Sequence, residues 1–292
     1  MKTGFTDIHC HGGGGFSFSD PDPGHIEIAL QTHRDHGTTT QIASLVSEPL
    51  EKLATQIKGL IPFAESKSIA GIHLEGPYLS SDKCGAHDPK FLRLPNLEEI
   101  RELIDAGKGH IKMITIAPEL PGALNAIALL RKLDVTVAVG HTNATDVEAR
   151  GAFDSGATVV THMFNALPEL DHHVGTIMNE LLINPDIYFE LILDGVHVNH
   201  SAVQLLLDLA PDRIILITDA MSAAGGEDGN YTIGEMEVTV RSGVATLASN
   251  GSLAGSTLTM DAAYNRLIND FNVSKAAASV AAIDLGRKAL GI

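Results

Sequence analysis

Histidine and carboxylate side chains recur where short apolar runs of the sequence end. These residues are His9, His11, Glu75, His141, His162 and Asp219. Side chains alternate between the two faces of a strand, so His9 and His11 are expected on one face and Cys10 on the other. Histidine nitrogens and carboxylate oxygens without a cysteine cluster are typical of a catalytic zinc, or another first-row divalent ion, that keeps an open coordination position.

Within this set, Glu75, His141 and His162 supply three ligands and leave a position for water, as in hydrolytic metal sites. His9 and His11 can complete a second site beside it, so the sequence predicts one or two ions per chain. A bound ion lowers the pKa of water to roughly 7, and Asp219 then needs only to accept and return a proton. A single histidine is more often a core residue, but this ordered set favours a metal centre.

The apolar runs predict the elements that must position these groups. Eight short β-branched runs indicate strands: Phe5–His11, Thr38–Leu45, Ile69–Glu75, Ile111–Ala117, Val135–His141, Thr158–Phe164, Tyr188–Asp194 and Arg213–Asp219. Segments with helical spacing lie between them, among them Pro49–Glu65, Leu97–Ala106, Gly122–Lys132 and Ser201–Leu209. Alternating strands and helices favour an α/β fold, a (β/α)8 barrel of the TIM type, with an open doubly wound sheet as the alternative. In a barrel the carboxyl ends of the strands meet at one face, which brings the polar residues together.

The sequence after the eighth run predicts additions to the barrel. Alternating residues over Tyr231–Ala248, around a turn at 241–243, indicate a β-hairpin insertion. Thr257–Asn269 and Lys275–Leu290 indicate closing helices. The glycine run Gly12–Gly15 lacks the pattern of a phosphate loop or a dinucleotide site, and it indicates a turn packed close to the metal.

The composition of the chain argues against some classes of partner and compartment. The net charge of −16 and the pI of about 5.2 argue against nucleic acid or an anionic membrane surface as a partner. Cys10 and Cys84 are the only cysteines, which excludes a disulfide framework and favours a reducing cytoplasm. Neither a signal peptide nor a membrane-spanning run is recognised. We expect a cytoplasmic protein whose 292 residues, 44% of them apolar, form one hydrolase barrel domain over 1–292.

Eight blocks of the sequence resemble, in the same order, the N-acetylglucosamine-6-phosphate deacetylases of the amidohydrolase superfamily. The blocks are DIHCHGGGG, GIHLEGPYL, GAHDP, GHTNAT, THMFNAL, DGVHVN, ITDAMSAAGG and LAGSTLTMDAA. The resemblance as a whole runs from Gly4 to Gly291. One HxH motif is a weak signal, whereas eight ordered blocks are highly specific. Many related amidohydrolases carry a carboxylated lysine at the end of the fourth strand. Ala117 and Pro118 stand there in this chain, and Glu75 on the third strand resembles the deacetylase branch.

The resemblance implies roles for individual residues. Glu75, His141 and His162 correspond to the principal metal ligands, His9 and His11 to the second metal position, and Asp219 to the catalytic acid and base. His87 corresponds to a residue that contacts the amide carbonyl and stabilises the developing oxyanion. Substrate-contacting positions correspond to Ala86, His87, Asn165, Ala166, Asp194, Gly195, Val196, His197, Leu253, Ala254 and Gly255. The implied reaction converts N-acetylglucosamine 6-phosphate to glucosamine 6-phosphate and acetate.

Two departures from the family pattern affect these expectations. Family members commonly carry His-His-Arg after Phe-Asn-Ala, with the arginine on phosphate, often across a dimer interface; here His172 and His173 are followed by Val174. Three interpretations stay open: His172 or His173 replaces the arginine as a weaker phosphate ligand, the substrate is a different N-acetylated sugar, or the two histidines are an exposed loop pair without a role. The family also usually adds a small β-sandwich domain, which we expect to be absent or truncated. The apolar surface that this exposes, together with the family pattern, favours a homodimer.

Three functions therefore stay open, all with a small-molecule amino sugar as the partner. The first is deacetylation of N-acetylglucosamine 6-phosphate. The second is deacetylation of another N-acetylated hexosamine, such as N-acetylgalactosamine 6-phosphate or an unphosphorylated sugar. The third is sugar binding by a catalytically weak relative.

Overall fold

The computed structural model describes residues 4–292, and its central feature is a sheet of eight parallel strands. In chain order the strands are β1 (Phe5–Asp7), β2 (Thr38–Leu45), β3 (Gly71–Glu75), β4 (Ile111–Ile116), β5 (Thr136–Val139), β6 (Val159–Val160), β7 (Tyr188–Ile192) and β8 (Ile214–Ile217). Each strand pairs with the next one along the chain. Past the ends of β1 and β8 the Asp219 N–H donates to the His9 carbonyl over 2.8 Å, and the backbones of Cys10 and Ala220 form an isolated parallel β-bridge. The predicted barrel is confirmed, in a nearly closed form.

Helices cover the outside of the barrel. They are α1 (Pro23–Asp35), α2 (Leu50–Glu65), α3 (Leu97–Ala106), α4 (Ala123–Lys132), α5 (Asp146–Ser155), α6 (Ile177–Ile183), α7 (His200–Leu209) and α8 (Met260–Asn269). A last helical segment consists of α9 (Lys275–Ser279), a π-helical turn (Val280–Asp284) and α10 (Leu285–Leu290). In α3 the Asn96 side chain accepts from the N–H groups of the first turn, and Ile100 and Leu103 face the core. Helical spacing and capping residues thus account for the elements between the strands.

Most strands end earlier than the sequence predicts. The predicted β1 reached His11 and the predicted β5 reached His141, but the observed strands stop at Asp7 and Val139. A bend at Ile8 follows β1, and His141 after β5 adopts a left-handed φ of 47°. Inclusion of these polar residues in the strands is therefore wrong, because they lie beyond the continuous part of the strand ladder.

A three-stranded antiparallel sheet, here called the side sheet, stands where the sequence predicts a hairpin. Its strands are β9 (Gly229–Ile233), β10 (Met236–Arg241) and β11 (Val244–Leu247). The expected turn joins β10 to β11, with positive φ at Ser242 and Gly243 as hairpin turns require. A second turn at Gly234 and Glu235 adds β9, so the insertion has one strand more than predicted. Its apolar face packs on Met221, Ala254 and neighbouring residues and forms a second, smaller core.

The barrel interior below the strand ends is partly polar. His73 of β3 contacts the Ser44 hydroxyl through Nδ1 at 3.0 Å and the Thr115 hydroxyl through Nε2 at 2.9 Å. The Thr115 hydroxyl in turn lies 3.0 Å from that of Thr161. All four residues are buried, and the His73 ring lies edge-on to His9 with the ring centroids 4.6 Å apart. Buried polar networks whose hydrogen bonds are all made are rigid, so these four residues form a rigid layer beneath the polar side chains at the strand ends.

Residues 4–292 comprise the barrel, its helices, the side sheet and a short ribbon of Gly12–Gly13 with Phe16–Ser17. Among these residues no helix is long and apolar enough to cross a membrane. The expected loss of a β-sandwich domain stays a prediction.

Candidate active site

The sequence-predicted metal ligands converge at the carboxyl ends of the barrel strands. Glu75 Oε1 lies 3.1 Å from Nε2 of both His141 and His162, and these two nitrogens are 3.0 Å apart. The other oxygen, Glu75 Oε2, lies 3.2 Å from His11 Nε2. His11 Nε2 is itself 3.1 Å from His9 Nε2. One carboxylate therefore lies between two pairs of histidines.

Asp219 completes the cluster beside the first pair of histidines. Its Oδ1 lies 3.4 Å from Nε2 of both His9 and His11. Donor atoms of His9, His11 and Asp219 all lie within 4.8 Å of one another, as do those of Glu75, His87 and His141. The structure thus brings candidate ligand atoms together in two adjacent groups.

Hydrogen bonds at the far side of two rings fix their tautomers. His141 Nδ1 lies 2.7 Å from the Lys83 carbonyl, and His162 Nδ1 lies 3.1 Å from the Asn165 carbonyl. A carbonyl oxygen only accepts, so each Nδ1 carries the proton and each Nε2 presents a lone pair to the centre. Metal-binding histidines generally have this arrangement.

His87 has the opposite arrangement. Its Nδ1 accepts the Ser47 backbone N–H over 3.2 Å, so the neutral ring carries its proton on Nε2. Nε2 lies 3.3 Å from Glu75 Oε2, at the edge of the cluster. His87 therefore presents a hydrogen-bond donor to the site, which suits contact with a carbonyl oxygen rather than with a metal.

Glu190 is a site residue that the sequence analysis missed. It lies on β7 and is fully buried, and its Oε2 accepts from His9 Nδ1 at 2.9 Å and from the His162 N–H at 3.3 Å. Within residues 4–292 its Oε1 has no hydrogen-bond partner. The available signal was a charged residue inside the apolar run YFELI. Glu190 orients the His9 ring from behind.

Replacing Glu190 with alanine is expected to weaken metal binding by about 10- to 100-fold, because His9 loses the partner that fixes its ring. Titration of metal-free protein with the metal measures this change directly. Glu190→Gln is the matched control, since its amide oxygen still accepts from His9 Nδ1, and it should recover most of the affinity. An alanine variant with wild-type affinity would contradict the orienting role.

Burial and neighbouring charges set the protonation of the cluster. Burial alone would raise the pKa of Glu75, but His9 and hydrogen bonds from the other histidines hold it well below its ordinary value. Burial lowers the pKa of His141 to about 4. An anionic glutamate and a neutral histidine are the forms that bind metals.

Carboxylates surround His9 in the cluster. Burial would lower the pKa of His9, yet Glu75, Glu190 and Asp219 raise it well above the ordinary value. The same carboxylates stabilise a positive charge at this place, and a divalent cation supplies one. The side chains present therefore fit a divalent metal centre.

Three site residues adopt a backbone conformation that non-glycine residues rarely use. The φ angles are 47° at His141, 29° at His162 and 49° at Asp219. Such conformations cost on the order of 1–3 kcal/mol each and persist where the surrounding fold imposes them. Each follows the end of a barrel strand, and each turns a polar side chain over the barrel mouth.

A cavity of about 160 Å³ opens above the cluster. Twelve predicted site residues line it: His11, Glu75, Ala86, His87, His141, His162, Asn165, Ala166, His197, Asp219, Leu253 and Gly255. Gly85, Val46 and Ile233 also line it and were not predicted. Ile233 carried no local signal, because the side sheet must first fold over the barrel to bring it there.

Five further predicted positions lie around the cavity rather than on it. His9 lies beneath it, Gly195 and Val196 lie on the loop that leads to His197, and Ala254 is fully buried. Asp194 Oδ2 accepts from His197 Nδ1 at 2.7 Å, which leaves His197 Nε2 for the cavity. Asp194 thus positions the His197 ring, and its contact with the substrate stays a prediction.

His172 and His173 lie on an exposed turn away from the cavity. Their rings are 3.9 Å apart, and the Asp171 carboxylate accepts the N–H groups of His173 and Val174. Neither histidine lines the cavity, and no lysine or arginine of residues 4–292 lines it either. Their role in phosphate binding stays a prediction.

Two curated relatives of this chain are deacetylases of N-acetylated hexosamine 6-phosphates. No protein-family model matches the chain. The N-acetylgalactosamine-6-phosphate deacetylase of Escherichia coli O157:H7 is 35% identical over 278 residues, which cover 94% of this chain and 74% of the relative. The N-acetylglucosamine-6-phosphate deacetylase of Danio rerio is 32% identical over 274 residues, covering 89% and 68%.

Solved structures agree with the sequence relatives. A mutant N-acetyl-D-glucosamine-6-phosphate deacetylase from Mycobacterium smegmatis, in complex with N-acetyl-D-glucosamine-6-phosphate, superposes with a TM-score of 0.97 at 41% identity, covering 99% of this chain and 77% of that one. The N-acetylglucosamine-6-phosphate deacetylase from Thermotoga maritima superposes with a TM-score of 0.91 at 33% identity, covering 99% and 78%. The likeness thus extends over nearly all of this chain.

Proposed function

Because this chain belongs to the N-acetylglucosamine-6-phosphate deacetylase family, we propose that it hydrolyses the amide of N-acetylglucosamine 6-phosphate with the help of a divalent metal. The products are glucosamine 6-phosphate and acetate. The observation that carries the proposal is the convergence of Glu75, His141 and His162 beside the carboxylate of Asp219 and the Nε2–H donor of His87.

We assign Glu75, His141 and His162 to the principal ion, and His9 and His11 to an optional second one. Nitrogen and oxygen donors with an open position favour zinc. When bound, the ion acts as a Lewis acid that polarises a carbonyl and lowers the pKa of water. The tautomers of His141 and His162 and the carboxylates around His9 support this assignment.

The chain's own residues supply the other steps. His87 donates from Nε2 to the oxygen of the amide carbonyl and stabilises the charge that develops there. Asp219 accepts a proton from the attacking water and delivers it to the departing nitrogen as the C–N bond breaks. Asn165, Ala166 and His197 hold the sugar on the opposite wall of the cavity.

N-acetylgalactosamine 6-phosphate is a second candidate substrate. The relative from Escherichia coli O157:H7, at 35% identity, is an N-acetylgalactosamine-6-phosphate deacetylase. No lysine or arginine of residues 4–292 lines the cavity, so the lining holds no side chain of permanent positive charge for the phosphate. We assign phosphate binding to His172 or His173, and the neighbouring Leu170 and Val174, 54% and 61% exposed, support a homodimer contact at this loop.

We place this reaction in a reducing compartment, the cytoplasm. Both cysteines, Cys10 and Cys84, are free thiols, which supports this placement. The chain over 1–292 then acts as one hydrolase domain.

Acetate release from a panel of substrates tests the proposed function. The panel contains N-acetylglucosamine, N-acetylgalactosamine and the 6-phosphate of each, assayed with protein of measured metal content. We expect acetate and free amine in equal amounts from at least one 6-phosphate. Sugar binding without acetate release from metal-replete protein would instead indicate a binding protein.

A further inference from the structure

The active-site cavity has one apolar corner, and the corner has no role in the mechanism so far. Val46 follows β2, and Ile233 ends β9 of the side sheet. Both line the cavity together with Ala86. Val46 and Ala86 pack against the small core that contains Ile233, so the three form one continuous apolar wall.

The position of His87 relates this wall to the amide. The Ser47 N–H, one residue after Val46, donates to His87 Nδ1 over 3.2 Å, so the wall adjoins the side chain that contacts the carbonyl oxygen. Asn165 and Ala166 follow β6, which is four strands from β2 in a barrel of eight and therefore lies across the cavity. With oxygen on His87 and the nitrogen-linked sugar on the opposite wall, the acetyl methyl is left for the apolar corner.

We propose that Val46 and Ile233 are the residues that restrict the acyl group to acetyl. This inference rests on the proposed function, and it adds that the apolar wall recognises the methyl group of the acetyl substituent. A methyl group fills an apolar corner favourably, whereas an added methylene must displace the wall.

The space behind the wall supports this assignment. A void of about 10 Å³ lies there, and the residues that line both it and the active-site cavity are His11, Val46 and Ile233. Ser222 and Thr232 line both this void and a surface groove of about 820 Å³ between the barrel and the side sheet. Shortening Val46 or Ile233 is therefore expected to enlarge the active-site cavity towards the void, and neither residue is a candidate metal ligand.

The experiment compares N-acetyl, N-propionyl and N-butyryl forms of the hexosamine 6-phosphate by release of the free amine. For the wild-type protein, kcat/KM for the propionyl substrate is expected to lie about 10-fold or more below that for the acetyl substrate. One extra methylene in an apolar pocket typically gives a discrimination of about this size. Ile233→Ala and Val46→Ala are each expected to raise the propionyl-to-acetyl ratio by about 10-fold. Thr232→Ala is the matched control, since Thr232 lines the void and the groove but not the active-site cavity, and it should leave the ratio at its wild-type value.

The outcomes separate this inference from the proposed function. Unchanged ratios in both wall variants, with acetyl hydrolysis retained, overturn the inference and leave the function standing. Absence of amine release from every substrate by metal-replete wild-type protein overturns both. Val46 is only half-buried, so Val46→Ala tests the wall even if Ile233→Ala folds poorly.

Discussion

Asp219→Asn is expected to lower kcat by about 10²- to 10⁴-fold while the bound metal content stays at the wild-type level. Asparagine keeps the size of the side chain and one oxygen, but it does not accept a proton at neutral pH. The Asp219 carboxylate lines the cavity and lies 3.4 Å from the nearest nitrogens of His9 and His11, so it faces both the metal cluster and the substrate. The variant should lose turnover, seen as a lower kcat, with little change in KM, because the proton moves only after the substrate has bound.

Metal analysis of the same variant decides between two roles for Asp219. The carboxylate groups with His9 and His11 in a geometry that also permits metal ligation. Loss of metal in step with loss of activity would make Asp219 a ligand rather than the proton carrier. Asp228→Asn is a suitable control, because Asp228 is an exposed residue that holds the turn of the side sheet and does not line the cavity.

Glu75→Gln is expected to remove most of the bound metal and to lower kcat/KM on the order of 10³-fold, since several kcal/mol of transition-state stabilisation depend on the ion. Glu75 contacts His141 and His162 through one oxygen and His11 through the other. The amide replaces one of these oxygens with an NH₂ group, which has no lone pair for a metal and removes the negative charge. Metal content and activity should therefore fall together.

Glu48→Gln provides the matched control for Glu75. Glu48 is also a buried glutamate close to the end of a barrel strand, but it pairs with Lys52 at 2.8 Å and lines the outer groove instead of the active-site cavity. Its replacement should leave metal content and activity unchanged. Full metal occupancy in Glu75→Gln would contradict the assignment of Glu75 as the principal ligand.

Much of the barrel was predictable because its signals are local. A strand such as Thr38–Leu45 is recognised from β-branched and apolar residues alone, and α3 from its spacing and its Asn96 cap. Strand ends were less predictable. The apolar runs before His141 and His162 predict extended backbone up to these residues, but both residues have a left-handed backbone and lie beyond the end of their strands. The ligand types were visible from the sequence because metal chemistry depends on the kind of side chain.

Sequence alone thus determined the fold class, the candidate ligands and the family that this chain resembles. Tertiary structure alone decided which nitrogen of each histidine faces the centre, that Glu190 holds His9, and that Val46 and Ile233 meet in one wall. The physical reason is distance along the chain: Glu190 is 181 residues from His9, and only closure of the barrel brings them to 2.9 Å. Local propensities do not encode such contacts, which arise when strands and the side sheet pack around a common axis.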